Sequence, residues 1–203
     1  MKHFNRAALL TVSLSLLPLS LTAAGEAMKV DADSFRCIRE MTPVRHFYVD
    51  NLLGNLEGTL AAANAPKGAI YPPGSVVQLV PSEVMVKREA GFSPATGDWE
   101  FFELDVSDKG ASVRARGFAE VNNRFGGNCF ACHAPARQPW DFVCEEGHGC
   151  EAIPVTRKMI GALQRSDPRC GEAVLEEGDS WALFKLNTLV LLGKTKAAIT
   201  GWF

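Results

Sequence analysis

The 203-residue chain has no surplus of basic charge: 21 lysines and arginines stand against 23 acidic residues, a formal net charge of −2. Nucleic-acid binding calls for a basic footprint, so that class of partner is not expected. Internal repeats and low-complexity segments are missing, and no βαβ pattern precedes the middle cysteines. Beyond the first two dozen residues there is also no apolar run of the roughly 20 residues that a bilayer-spanning helix requires. The best candidate, Trp181 to Leu192, is short and interrupted by Lys185 and Asn187, which predicts a docking helix and no membrane span after the leader.

What is present begins with a leader. Lys2 and Arg6 precede an apolar stretch from Ala7 to about Leu21 that Pro18 breaks, and small residues follow at Thr22 to Gly25. This is the pattern of a signal peptide over 1–24, which predicts export to the periplasm. Its removal leaves 19 basic residues against 23 acidic ones and a length suited to one compact domain.

Six cysteines in an exported chain must each be assigned to a disulfide or to other chemistry. Cys37, Cys144, Cys150 and Cys170 allow three pairings. A Cys144–Cys150 bridge would close a short loop containing Gly147 and Gly149 and leave Cys37 to Cys170.

Along the chain, Asp33 to about Asn64 reads as mostly helical, with Leu52, Leu56 and Leu60 spaced four apart and Pro43 at a start or kink. Ala65 to Gly74 is turn chemistry. Four β-rich runs follow, at 75–80, 83–88, 98–106 and 112–121, and predict an antiparallel meander. Alternation in Val84 to Lys87 and in Val113 to Arg116 suggests one buried and one wet face. Val155, Met159 and Leu163 mark a helix ending before Asp167-Pro168. A functional domain over 33–170 and a C-terminal extension over 171–203 are expected.

Cys129-Phe130-Ala131-Cys132-His133 is the CxxCH pattern of c-type haem attachment. With six cysteines and four histidines, chance placement gives on the order of 0.004 occurrences. Two thiols separated by two residues can add to both haem vinyl groups, and the next residue then offers an imidazole to the iron. The site residues are therefore Cys129 and Cys132 for one covalent haem c and His133 as proximal iron ligand. Two other chemistries use the same residues: a redox dithiol, which belongs with the missing βαβ pattern, and a zinc site completed by Cys144, Cys150 or His148. Met41, Met85, Met159, His46 and His148 are the candidates for a sixth ligand, which decides between an electron carrier and an open site.

Four segments carry a likeness to a known family. Pro73-Gly74-Ser75-Val76-Val77, Gly97-Asp98-Trp99-Glu100-Phe101-Phe102, Asn128 to His133, and Trp140-Asp141-Phe142-Val143 together resemble cytochrome P-460 and its relative cytochrome c′-beta, in order and in spacing. The resemblance implies an α+β fold with an antiparallel sheet and flanking helices, a homodimer, and a five-coordinate haem whose distal side faces the sheet. It implies a small gaseous or nitrogenous ligand such as nitric oxide, a periplasmic redox partner, or hydroxylamine oxidation. The oxidising members link a lysine to the haem edge; here Leu79 falls near that position, with Lys87 one strand later and read as a solvated strand residue. Glu83, Glu89, Glu100, Glu103 and Asp105 are candidate proton acceptors, most of them expected in solvent, and Glu100 and Glu103 cannot share a strand face. Trp99, Phe101, Phe102 and Phe92 are candidate linings of a distal pocket. Catalytic candidates are thus Glu100, Glu103 and Lys87.

Overall fold

The computed structural model describes residues 28–124 and 126–200, with side chains as far as Leu192; the expected leader lies outside them. Six strands form one antiparallel sheet in strictly sequential order: β1 (Thr42–Val44), β2 (Phe47–Asn51), β3 (Ser75–Val80), β4 (Glu83–Lys87), β5 (Trp99–Ser107) and β6 (Gly110–Gly117). Among the described residues four α-helices accompany it: α1 (Leu56–Ala63), α2 (Cys129–His133), α3 (Arg157–Arg165) and α4 (Asp179–Thr200). The α+β class and the meander read from the sequence are therefore present.

The helical reading of Asp33 to Asn64 holds only for α1. Ahead of it lie two short 3-10 turns, Ala32–Ser34 and Ile38–Glu40, and the β1–β2 hairpin. Val44, Phe47, Val49 and Asn51 point to one face while Tyr48 and Asp50 point away, a period of two that the leucine spacing downstream obscured. Arg45 takes φ 52° in the two-residue turn, a left-handed conformation suited to tight hairpins. Leu56 and Leu60 do share a helical face and pack on the sheet.

Both sheet faces are covered. Val44, Phe47, Val49, Val77, Met85, Trp99 and Phe101 pack under α1 and the segment carrying Phe142 and Val143. Val76, Val84, Val86, Phe102 and Leu104 pack under the N-terminal segment of Val30, Phe35, Ile38 and Met41. The expected wet face of β4 is therefore dry: Val84, Met85, Val86 and Lys87 are all buried. β6, at the sheet edge, keeps alternating exposure, with Arg114 and Arg116 outside.

Disulfides join Cys37 to Cys170 and Cys144 to Cys150, the pairing that the short Gly-containing loop suggested. Beside the first, Asp167 is buried and accepts the Ile38 amide at 2.9 Å and Arg169 Nη2 at 2.7 Å, while Arg169 also donates to the carbonyls of Phe35 and Pro81. The N-terminal cover is thereby fastened to the turn after α3. That helix ends where Asp167-Pro168 predicted, and Gln164 Nε2 ties it to the sheet through the carbonyls of His46 (2.9 Å) and Leu79 (2.7 Å). Asp179, buried at the start of α4, accepts Arg165 at 2.7 and 2.9 Å and Lys158 at 2.9 Å, both from α3.

Cross-linking stabilises mainly by restricting the unfolded chain, so a loop with sequence separation 133 gains more than one with separation 6. Replacing Cys37 and Cys170 by serine should lower the unfolding free energy by about 4–5 kcal/mol, and the same change at Cys144 and Cys150 by about 2 kcal/mol. Urea titrations of the two double variants check the order.

Candidate functional site

The CxxCH segment is set by its cap. Asn128 accepts the Ala131 amide at 2.8 Å through its side chain, which starts α2, and its Nδ2 donates to the Ala119 carbonyl at 2.7 Å, which fixes the helix to the end of the sheet. The Cys129 amide donates to the Val121 carbonyl at 2.9 Å. Within α2, Cys129 and Phe130 pack on the sheet face lined by Val77, Met85 and Phe101, whereas Cys132 is exposed.

Cys129 and Cys132 are the free cysteines; the other four are consumed in the disulfides. This pairing removes Cys144 and Cys150 as zinc ligands, and His148 Nδ1 is engaged by the Val143 carbonyl at 2.7 Å with its ring stacked 3.8 Å from Trp140. A nucleophilic dithiol calls for a lowered thiol pKa. Burial, with the charges of Glu83 and Glu103, instead pushes the Cys129 thiol up to about 12.

His133 Nδ1 lies 2.7 Å from the Phe142 carbonyl. A carbonyl only accepts, so Nδ1 carries the proton and Nε2 keeps its lone pair. Burial holds the imidazole below its ordinary pKa, favouring this neutral form. Its ring lies 5.4 Å from that of Phe101. A histidine whose second nitrogen is fixed by a backbone carbonyl is the arrangement that orients metal-bound imidazoles.

The carbonyl is itself held in place. Asp141 and Phe142 have φ values of 48° and 66°, left-handed for two consecutive non-glycine residues. Lys87 Nζ contacts both Asp141 carboxylate oxygens at 2.7 Å, the Tyr71 amide donates to that carboxylate at 2.8 Å, and Trp99 Nε1 donates to the Asp141 carbonyl at 2.7 Å. Lys87 also donates to the Gly97 carbonyl at 2.7 Å; Gly97 has φ 60°, and a Cβ there would stand 2.7 Å from the Phe142 ring, so glycine is required on both counts. Lys87 is accordingly buried and paired, not solvated as the strand pattern implied.

At the other end of this face, Glu83 and Glu103 are direct cross-strand partners. Glu103 is fully buried; its Oε1 receives Arg124 Nε at 2.8 Å, and its Oε2 has no hydrogen-bond partner among the described residues. Burial, and next the Glu103 charge, push the Glu83 carboxyl up to about 7. Glu100 lies on the opposite face between Arg88 and Arg116, so of the two only Glu103 shares the face of Cys129, as strand parity required. Solvation, expected for most of these carboxylates, fails for both.

Of the aromatic candidates, Trp99 and Phe101 line the face of Cys129; Phe102 belongs to the opposite cluster, and Phe92 is partly exposed against Phe118 and Arg88. Among the candidate sixth ligands, Met85 shares the face of Cys129, Met41 and Met159 sit in other clusters, and His46 occupies the β1–β2 turn instead of a helix. Leu79 packs on the Cys129 face. A cleft of about 490 Å³ is lined by Arg45, His46, Tyr71, Trp140, Glu145 and His148, but by none of Cys129, Cys132 or His133. Sequence reasoning gave Asp141 no role: an aspartate ahead of two apolar residues carries no mark of a buried partner two strands away.

The donor set thus fits a c-type haem: two unpaired thiols on one turn of helix, a neutral imidazole whose Nε2 keeps its lone pair, and apolar surface from Val77, Leu79, Met85 and Phe101 beside them. No family model matches the chain, and no curated protein or solved structure matches it either.

Removing one partner of a buried ion pair strands the other charge, so Asp141→Leu should cost about 3–5 kcal/mol in a denaturant titration. Glu83 holds its proton more tightly folded than unfolded, so its contribution to stability is present below about pH 4.5 and lost as pH rises through about 7. Glu83→Gln should remove that dependence and gain about 1–3 kcal/mol over the parent at pH 8, with no gain near pH 4, as thermal melts across the pH range would read.

Proposed function

We propose that the chain is an exported, periplasmic mono-haem c-type cytochrome, with haem c joined to Cys129 and Cys132 and His133 as proximal ligand. The observation that carries this reading is the state of the CxxCH residues: the remaining cysteines pair with one another and leave these two thiols free, while the Phe142 carbonyl fixes His133 Nδ1 and so leaves the lone pair on Nε2. When bound, the haem supplies an iron that either takes a small ligand such as nitric oxide in an open sixth position or passes single electrons. The protein's part is to aim and hold the imidazole, to keep it neutral, and to offer an apolar face through Phe101, Met85 and Leu79. The likeness to cytochrome P-460 and cytochrome c′-beta, a homodimeric state and a periplasmic redox partner belong to the same proposal.

A second reading, oxidation of hydroxylamine or reduction of peroxide, is favoured by one arrangement. Glu83 and Glu103 lie on the face of Cys129, and Glu83, with its pKa near 7, is suited to accept and return a proton near neutral pH. Lys87 does not supply the cross-link that accompanies this activity in the resembled family, because its ammonium is spent on Asp141 and the Gly97 carbonyl.

Expression with the haem-attachment machinery should yield a protein that keeps its haem through acid-acetone extraction and gives a c-type pyridine haemochrome spectrum. Cys129→Ser or Cys132→Ser should weaken that attachment, whereas His133→Ala should retain covalent haem and shift its absorption bands. A broad high-spin ferrous Soret band supports the open site, and sharp low-spin bands indicate a sixth protein ligand. Extractable haem, or none, would overturn the reading.

A further inference from the structure

Helix α4 is docked on the fold through its first turns. Ala182 and Leu186 are buried, and Ala182 and Leu183 pack on Met159, Ala162 and Val155 around α3. From Asn187 to Leu192 no side chain is fully buried. On the side turned away from Ala182 lie Trp181, Phe184, Thr188 and Leu191, whose spacing of three, four and three places them in one stripe. Trp181 and Phe184 are each 59% exposed and Leu191 64%, a cost in water that an isolated helix would not carry without a cover. Thr188 does not interrupt the stripe with a free hydroxyl, since its Oγ1 donates to the Phe184 carbonyl at 2.9 Å.

The charges specify the cover. After Asp179 the helix bears Lys185, Lys194 and Lys196 and no acidic residue. Anionic headgroups complement a helix whose charged residues after its first are all basic, each basic residue near such a surface adding roughly fivefold in binding. Aromatic rings flanked by lysine are suited to the headgroup boundary: the Trp181 and Phe184 rings stack at 5.3 Å, and Lys185 Nζ lies 5.1 Å from the Trp181 ring centre. Among the described residues no helix is long and apolar enough to cross a membrane, so α4 would lie in the surface.

We propose that the outward face of α4 is a peripheral membrane-binding surface for anionic phospholipid bilayers, with Trp181, Phe184 and Leu191 entering the headgroup boundary. This is independent of the haem. The test is flotation of the mature protein, purified after export, with phosphatidylcholine vesicles that contain or lack phosphatidylglycerol. The protein should float with the anionic vesicles, less with neutral ones, and less again at high salt. The triple variant Trp181→Ser, Phe184→Ser, Leu191→Ser should bind at least about tenfold more weakly, since each lost side chain is worth that order of transfer free energy. Its unchanged circular dichroism would show that the fold survives. If the parent stays in the bottom fraction with both vesicle types, or if the variant floats equally well, the proposal fails. Flotation of neither protein together with a dimer-to-monomer change on substitution would assign the stripe to a second copy instead.

Discussion

A lysine and an aspartate withdrawn from water lose far more hydration than their attraction returns unless each finds further partners. Lys87 and Asp141 meet this condition, and most of the local geometry follows from it. The ammonium also reaches the Gly97 carbonyl, the carboxylate also takes the Tyr71 amide, and the Asp141 carbonyl takes the Trp99 indole. The segment after α2 is thereby fixed to β4 and β5, and the pair of left-handed residues it contains is held although neither is glycine. Phe142 then presents its carbonyl to His133. The imidazole is thus oriented by an ion pair it never touches.

The two ends of the same sheet face have opposite electrostatic character. At the Lys87 end a cation and an anion compensate each other. At the other, Glu83 and Glu103 sit across from one another with Arg124 and Arg114 as partial counterions, and like charge beside burial leaves a proton on Glu83 near neutral pH. Cys129 lies near the acidic end and His133 beside Phe101 and Phe142, so a group attached to the CxxCH turn would meet both an oriented imidazole and a titrating carboxyl. That juxtaposition is what separates a simple carrier from an enzyme in the proposed reading.

The sheet can bury charge because both of its faces are covered. The N-terminal segment, fastened through Cys37–Cys170 and the Asp167–Arg169 pair, closes one side, and α1 with the segment after α2 closes the other. Helix α4 stands apart from this arrangement: Asp179 secures its first turn to α3, while Trp181, Phe184 and Leu191 are exposed.

Local pattern was enough to read the four later strands, α3 with its stop at Asp167-Pro168, the CxxCH turn, and the opposite orientation of Glu100 and Glu103, because each follows from neighbours in the chain or from the two-residue period of a strand. The pairing of the remaining cysteines followed in part from loop length. The β1–β2 hairpin was misread because the leucines of α1 and the preceding residues extend a spacing of four across a turn that only the sheet enforces. Burial of Lys87 could not be read at all: a lysine closing a strand is ordinarily solvated, and its partner stands 54 positions later, on a segment with a left-handed backbone. The sequence by itself determined that two thiols and an imidazole stand together at Cys129, Cys132 and His133, since spacing along the chain sets what one turn of helix can present. Only the tertiary structure decided how they are aimed, since Lys87, Asp141 and His133 are brought together by packing between distant segments.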